Sequence, residues 1–96
     1  MESRLYLTSL YDIYGSLLTD KQQKYFENYY FDNLSLSEIS ENEEISRNAV
    51  HKHINDAKEK LEYYEKELRI YEKNKQIIKF SKKLDKELQK ELEELI

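Results

Sequence analysis

The side chains that could do chemistry here are few in kind. His51 and His53 are the only imidazoles, there is no cysteine, and carboxylates are abundant, with 20 Asp and Glu residues. Histidines two apart on a helix face different directions. A helical metal site needs ligands three or four apart plus further donors, so no metal pair is expected. The carboxylates fall on solvated helical faces, and no glycine-rich loop is available to cradle a phosphate. This pattern predicts a protein that is not an enzyme and carries no cofactor and no metal. The chemistry that remains is recognition by hydrogen bonds. Arg47, Asn48, His51, Lys52 and Asn55 recur at spacings of three and four. Arg can bond guanine twice and Asn can bond adenine twice, while Lys more naturally meets phosphate. These five residues are the candidate DNA-binding set.

The stretch Leu34 to Leu61 must position them. Ser35 followed three residues later by Glu38 is a capping box and starts a short helix that buries Leu36 and Ile39. Ser46 is a good N-cap for a second helix with apolar residues at Ala49, Val50, Ile54, Ala57 and Leu61. That spacing is helical, and Ala49 is expected where the two helices approach closely, with Val50 and Ile54 pointing inward. Two helices joined by a few residues form a helix-turn-helix, whose second helix enters the DNA major groove in DNA-binding examples. The turn between them needs a left-handed residue, either Asn42 or a strained Glu44. The fold alone does not decide function, since many such units serve only as protein modules.

Charge argues against tight DNA binding. The chain carries −4 overall, and Thr19 to Lys66 holds seven Lys/Arg against eleven Asp/Glu. Nucleic-acid binding usually shows a basic footprint. Glu38, Glu41, Glu43 and Glu44 crowd the entrance to the second helix instead. A length of 96 residues allows one modest core. With no Pro and a single Gly, little interrupts helix. No apolar run is long enough to span a membrane and no signal peptide is recognisable, so a cytoplasmic location is expected.

A first helix is predicted over about Ser3 to Leu18, with a stripe of Tyr6, Leu10, Ile13, Tyr14 and Leu17 and with Gly15 weakening its end. Thr19 caps a second helix, helped by Asp20 in its first turn. Its Tyr25, Phe26, Tyr29 and Tyr30 read as core rather than as a base-stacking platform, with the tyrosine hydroxyls at a wet rim. Asp32 and Asn33 end it. From Val50 through Ile54, Ala57, Leu61, Tyr64, Leu68, Tyr71 and Lys75 to Ile78, steps of four and three form a heptad seam. The recognition helix is therefore expected to run on to about Gln76, a span of roughly 45 Å. A seam outlasting the domain predicts a homodimer, with Leu61, Tyr64, Leu68 and Tyr71 at its interface. A second stripe of Leu84, Leu88, Glu91 or Leu92, and Leu95 is out of phase with the first. It implies a break near Lys79 to Lys82 and a last helix from about Lys83; one helix with a stutter is the alternative. That tail either folds back on the first helix or dimerises. From Lys73 to Lys90 seven lysines face only Asp85 and Glu87. Such a run is most often a solvated face, and it is also the best candidate in the chain for an RNA phosphate or an acidic protein surface.

Leu18-Thr19-x-x-Gln22, Leu36-Ser37-Glu38-Ile39 and Ile45-Ser46-Arg47-Asn48-Ala49-Val50 resemble region four of bacterial sigma factors and, more closely, the YlxM family of small helix-turn-helix proteins. The resemblance begins upstream at Tyr6 and continues past the motif to Leu68. It implies an all-α fold with a sigma region four-like helix-turn-helix domain over residues 1–66; the seam and second stripe add a coiled-coil-like helical tail over 67–96 that extends the long recognition helix. The tail is expected to pack on the same domain or on a dimer partner. The resemblance further implies a DNA-binding-like regulatory protein with a role in the bacterial signal recognition particle pathway and its components as partners; the acidic balance makes any duplex binding weak. The alternative is a protein or ribonucleoprotein adaptor that keeps the motif as scaffold. The sequence departs from the family pattern at Ser40, at Glu43 and Glu44, and at Asp56, where sigma-like helices usually carry a base.

Overall fold

The computed structural model describes residues 3–84 and 86–96, and these are all-α. Asp85, counted in the tail charge above, lies outside the described residues. Helix α1 spans Arg4–Tyr14, followed by a 3-10 turn at Gly15–Leu17. Helices α2 (Asp20–Tyr30), α3 (Leu36–Glu43) and α4 (Arg47–Leu68) follow. The tail forms α5 (Ile70–Ser81) and α6 (Lys86–Glu94).

The helix starts follow local chemistry. The Ser3 hydroxyl accepts from the Tyr6 N–H at 3.0 Å. Thr19 and Gln22 form a reciprocal capping box, which gives a structural meaning to the Leu18-Thr19-x-x-Gln22 motif. Arg4 closes the other end of α2. Its guanidinium donates to the carbonyls of Tyr29 and Tyr30 and to Asn33 Oδ1, placing a cation on the negative end of the helix.

The first helix is shorter than its sequence pattern predicts. It tightens at Gly15, which advances the side chains faster around the axis. Leu17 is turned out, 52% exposed, and Leu18 is buried in its place. Leu7, absent from the predicted stripe, is buried. Gly15 has a specific reason to be glycine: a Cβ there would lie 2.9 Å from the Tyr11 ring. That ring is itself stacked on Phe26 at 4.6 Å between centroids.

Two apolar clusters make the core. One joins α1, α2 and α4 through Leu10, Tyr14, Phe26, Ala57 and Leu61. The other joins α2, α3 and α4 through Tyr25, Ile39, Val50 and Ile54. The aromatic face of α2 is core, as expected, with Tyr29 and Tyr30 half-buried.

The long helix is where sequence and structure part. It ends at Leu68, because Arg69 adopts φ 55°, ψ 33° and reverses the chain. The expected run to Gln76 is therefore two helices. The cause is a buried acceptor that the heptad pattern does not reveal. Glu65, in the last turn of α4, accepts from the Tyr14 hydroxyl at 2.7 Å and from the backbone N–H groups of Tyr71 at 3.0 Å and Glu72 at 3.2 Å. The Ile70 N–H donates to the Tyr14 oxygen at 3.0 Å. These bonds satisfy the otherwise orphaned donors that open α5. They also set a carboxylate at its positive end.

The proposed dimer seam is correspondingly reassigned. Leu61 is 0% exposed within one chain and cannot face a partner. Tyr64 packs on Tyr14, and Tyr71 meets Tyr6 edge-on at 5.3 Å. Both are half-buried in the same core. Leu68 alone of the four stays on the surface, 46% exposed. Helix α5 returns to α1, and α6, the last helix that was expected to fold back on the first helix or to dimerise, pairs with α5 as a hairpin instead. Ser81 closes α5 by donating its hydroxyl to the Ile78 carbonyl.

Candidate nucleic-acid interface

The helix-turn-helix is α3, a three-residue turn and α4. Ser35 and Glu38 cap α3 reciprocally. Its last helical residue, Glu43, is ion-paired with Lys24 of α2 at 2.7 Å, and that carboxylate, first by its hydrogen bond, holds the ammonium above the usual lysine range. Glu44 takes the left-handed position at φ 57°, so the strained glutamate rather than Asn42 makes the turn. The turn is tied twice. The Ile45 N–H donates to the Ser40 carbonyl at 3.2 Å, and the Ser40 hydroxyl donates back to the Ile45 carbonyl. A hydroxyl at position 40 thus has work that a merely small residue lacks. The Ser46 hydroxyl then accepts from the Ala49 N–H at 3.0 Å and starts α4. Val50 and Ile54 are buried as expected, and Ala49 is half-buried.

Burying Val50 and Ile54 fixes which residues of α4 face water. Arg47, Asn48, His51 and Lys52 are all exposed. Arg47, Asn48 and His51 line one surface depression with Ser46 and Leu36. Leu36 was expected to be a core residue only; it is half-buried and contributes an apolar patch beside three polar groups. Asn55 is half-buried, its Nδ2 within 3.3 and 3.4 Å of the two His51 ring nitrogens. It therefore stands behind His51 rather than at the front of the strip. His53 lies on another side, against the Tyr25 ring at 5.2 Å.

Glu38, Glu41 and Glu44 are exposed beside this strip, and each adds negative potential where a duplex backbone would run. Glu43 is the exception, half-buried and paired with Lys24. Asp56 sits one turn beyond Lys52. It borders a separate depression with Gln22, Glu59, Lys60 and Tyr63. Among the described residues no group of three or more His, Cys, Asp or Glu side chains could hold a metal ion. No helix among them is long and apolar enough to cross a membrane.

The sequence over its whole length matches a family model. The UPF0122 model, described as "Putative helix-turn-helix protein, YlxM / p13 like", covers residues 1–96. The chain belongs to that family. A UPF0122 protein of Caldanaerobacter subterraneus subsp. tengcongensis is 45% identical over 80 residues, spanning 83% of this chain and 68% of the relative. A UPF0122 protein of Ureaplasma parvum serovar 3 is 53% identical over 72 residues, spanning 75% and 73%. One from Malacoplasma penetrans is 45% identical over 95 residues, spanning 93% and 89%. The UPF0122 description is of a helix-turn-helix protein and names no enzymatic activity.

Proposed function

We propose that this UPF0122 protein is a cytoplasmic, non-enzymatic helix-turn-helix regulator that reads duplex DNA weakly through the start of α4. The observation that carries this reading is the exposure of Arg47, Asn48 and His51 around one depression between α3 and α4. Arg47 and Asn48 come first after the N-cap, where a helix meets base edges in the major groove. Lys52, one turn on, contacts phosphate. Residues 1–66 carry the reading surface and 67–96 the tail. The place of this activity is the signal recognition particle pathway, as the likeness to the YlxM family suggests.

The exposed Glu38, Glu41 and Glu44 favour one second reading: an adaptor for a protein or ribonucleoprotein partner, in which the motif is only scaffold. A homodimer in either role would use Leu68 and other surface residues, since Leu61 is enclosed.

Selection from a random duplex library at low salt separates the two readings. The regulator reading expects an enriched site. Arg47→Ala should cost about 1–3 kcal/mol on it and relax its sequence preference, whereas Lys52→Ala should weaken all duplexes alike and reduce the salt slope by about 1. Random duplex at physiological salt should bind at or above a Kd of about 10⁻⁴ to 10⁻⁶ M. No enrichment would leave the motif as scaffold.

A further inference from the structure

The tail carries a surface that the helix-turn-helix does not use. Lys73 to Lys90 hold +5, which leaves −9 on the rest of a chain whose total is −4. All seven lysines of that segment are exposed, so the charge lies on the surface of the α5–α6 hairpin. The same end exposes large apolar side chains. Phe80 is 64% exposed and Leu84 is 42% exposed. Along α5, Lys73 and Phe80 fall on one helical face by their spacing of seven, and Lys83 follows in the turn after the helix. Lys83 Nζ stands 5.6 Å from the centre of the Phe80 ring, and Lys79 and Lys83 line a shallow depression with Phe80 and Gln76.

We propose that this end of the hairpin docks on an anionic lipid surface, with Phe80 and Leu84 entering the headgroup boundary and the surrounding lysines meeting lipid phosphates. Basic residues next to exposed aromatic and aliphatic ones fit an anionic interface, where long lysine stems lie along the apolar layer and their heads reach outward. A planar surface suits cations spread around a hairpin better than a groove-shaped ligand does. Single-stranded nucleic acid is matched less well, because base stacking uses a row of aromatic rings and this face presents Phe80 beside an aliphatic Leu84. The acidic remainder of the chain is repelled by the same lipids, which orients the hairpin end toward the surface.

The chain contains no Trp, so Phe80→Trp places a single reporter at the proposed contact. Its fluorescence should shift to the blue with vesicles of equal parts phosphatidylglycerol and phosphatidylcholine, and stay unchanged with phosphatidylcholine alone. In co-sedimentation, Phe80→Ala should lower binding to the mixed vesicles by at least about threefold. The double variant Lys79→Glu, Lys83→Glu should lower it more than about tenfold. Arg47→Ala should leave it unchanged. Circular dichroism of each variant keeps loss of fold distinct from loss of docking, since Phe80, Lys79 and Lys83 are surface residues. Equal binding to both vesicle types, no binding to either, or anionic binding indifferent to Phe80→Ala would overturn the proposal. So would a tail that ignores vesicles but binds RNA, or that self-associates through the acidic face of a second copy in a salt-sensitive way.

Discussion

Helices α3 and α4 both end on a left-handed residue that is not glycine, Glu44 at φ 57° and Arg69 at φ 55°, and the two joints are built in different ways. At Glu44 the hydrogen bonds of the joint are local. Ser40 bonds Ile45 in both directions, and Ser46 caps the next helix. At Arg69 no side chain caps α5 from the usual position. The donors are met by Glu65 from the preceding helix and by Tyr14, 51 residues before Glu65. The first joint sets the direction of α4. The second stops that helix and returns the chain to α1. A joint held by its neighbours can be recognised in sequence; a joint held by tertiary contacts cannot.

The largest effect that separates the two sides of the Arg69 joint is a pair of truncations. Leu61→Ala should cost about 2–5 kcal/mol, as expected for a fully enclosed leucine. Leu68→Ala should cost well under about 1 kcal/mol, in keeping with surface substitutions. Thermal unfolding at several protein concentrations measures both. Equal costs, or a melting temperature that rises with concentration, would mean that the seam continues through the joint to a partner.

The joint itself is broken by Glu65→Ala. It strands the Tyr14 hydroxyl and two part-buried backbone donors, at a cost of roughly 2–4 kcal/mol, and hydrogen exchange should quicken first in α5. The same site sets an alkaline limit. Burial, and then the bond to Glu65, hold the Tyr14 phenol above its ordinary 10.0. The folded state therefore keeps this proton more tightly than the unfolded state. Its contribution is intact below pH 10.0 and is lost as pH climbs through the raised value. Tyr14→Phe should flatten that alkaline decline, and an unaltered slope in a urea titration between neutral and alkaline pH would exclude Tyr14 as its source.

The Glu44 joint should be cheaper to damage. Ser46→Ala removes one cap and should cost about 0.5–2 kcal/mol, with protection lost only in the first turn of α4. The smallest effects come from relieving strain. Glu44→Gly and Arg69→Gly should each gain up to about 1 kcal/mol, because glycine adopts the left-handed region without a Cβ clash. A loss at Arg69 but not at Glu44 would show that the arginine side chain supports the second joint in a way the backbone angles do not.

Most of the helix-turn-helix is legible in the sequence because its signals are short-range. Ser35 with Glu38, Thr19 and Ser46 mark the starts of α3, α2 and α4, and Val50 with Ile54 fixes the rotation of α4 and hence the exposure of Arg47, Asn48, His51 and Lys52. Asn55 is placed less well, because its contact with His51 depends on side-chain rotamers rather than on spacing. The tail is harder for a physical reason. Tyr71 keeps its place in the four-and-three spacing and still packs on Tyr6 after the chain reverses at Arg69, so the heptad pattern conceals the break. Glu65 reads as one more solvated acid until Tyr14 is brought beside it. Leu17 and Leu18 exchange roles for a similar reason, because the tightening at Gly15 follows from the Tyr11 ring packed over it.

The most direct test of the account is an amide NMR titration of the isotope-labelled full chain with duplex DNA at low salt. The reading surface proposed here predicts shifts concentrated at Arg47, Asn48, His51 and Lys52. The α5–α6 amides should move little, and the pattern should be lost in Arg47→Ala. Shifts confined to Lys73 through Lys90, with the start of α4 silent, would contradict it.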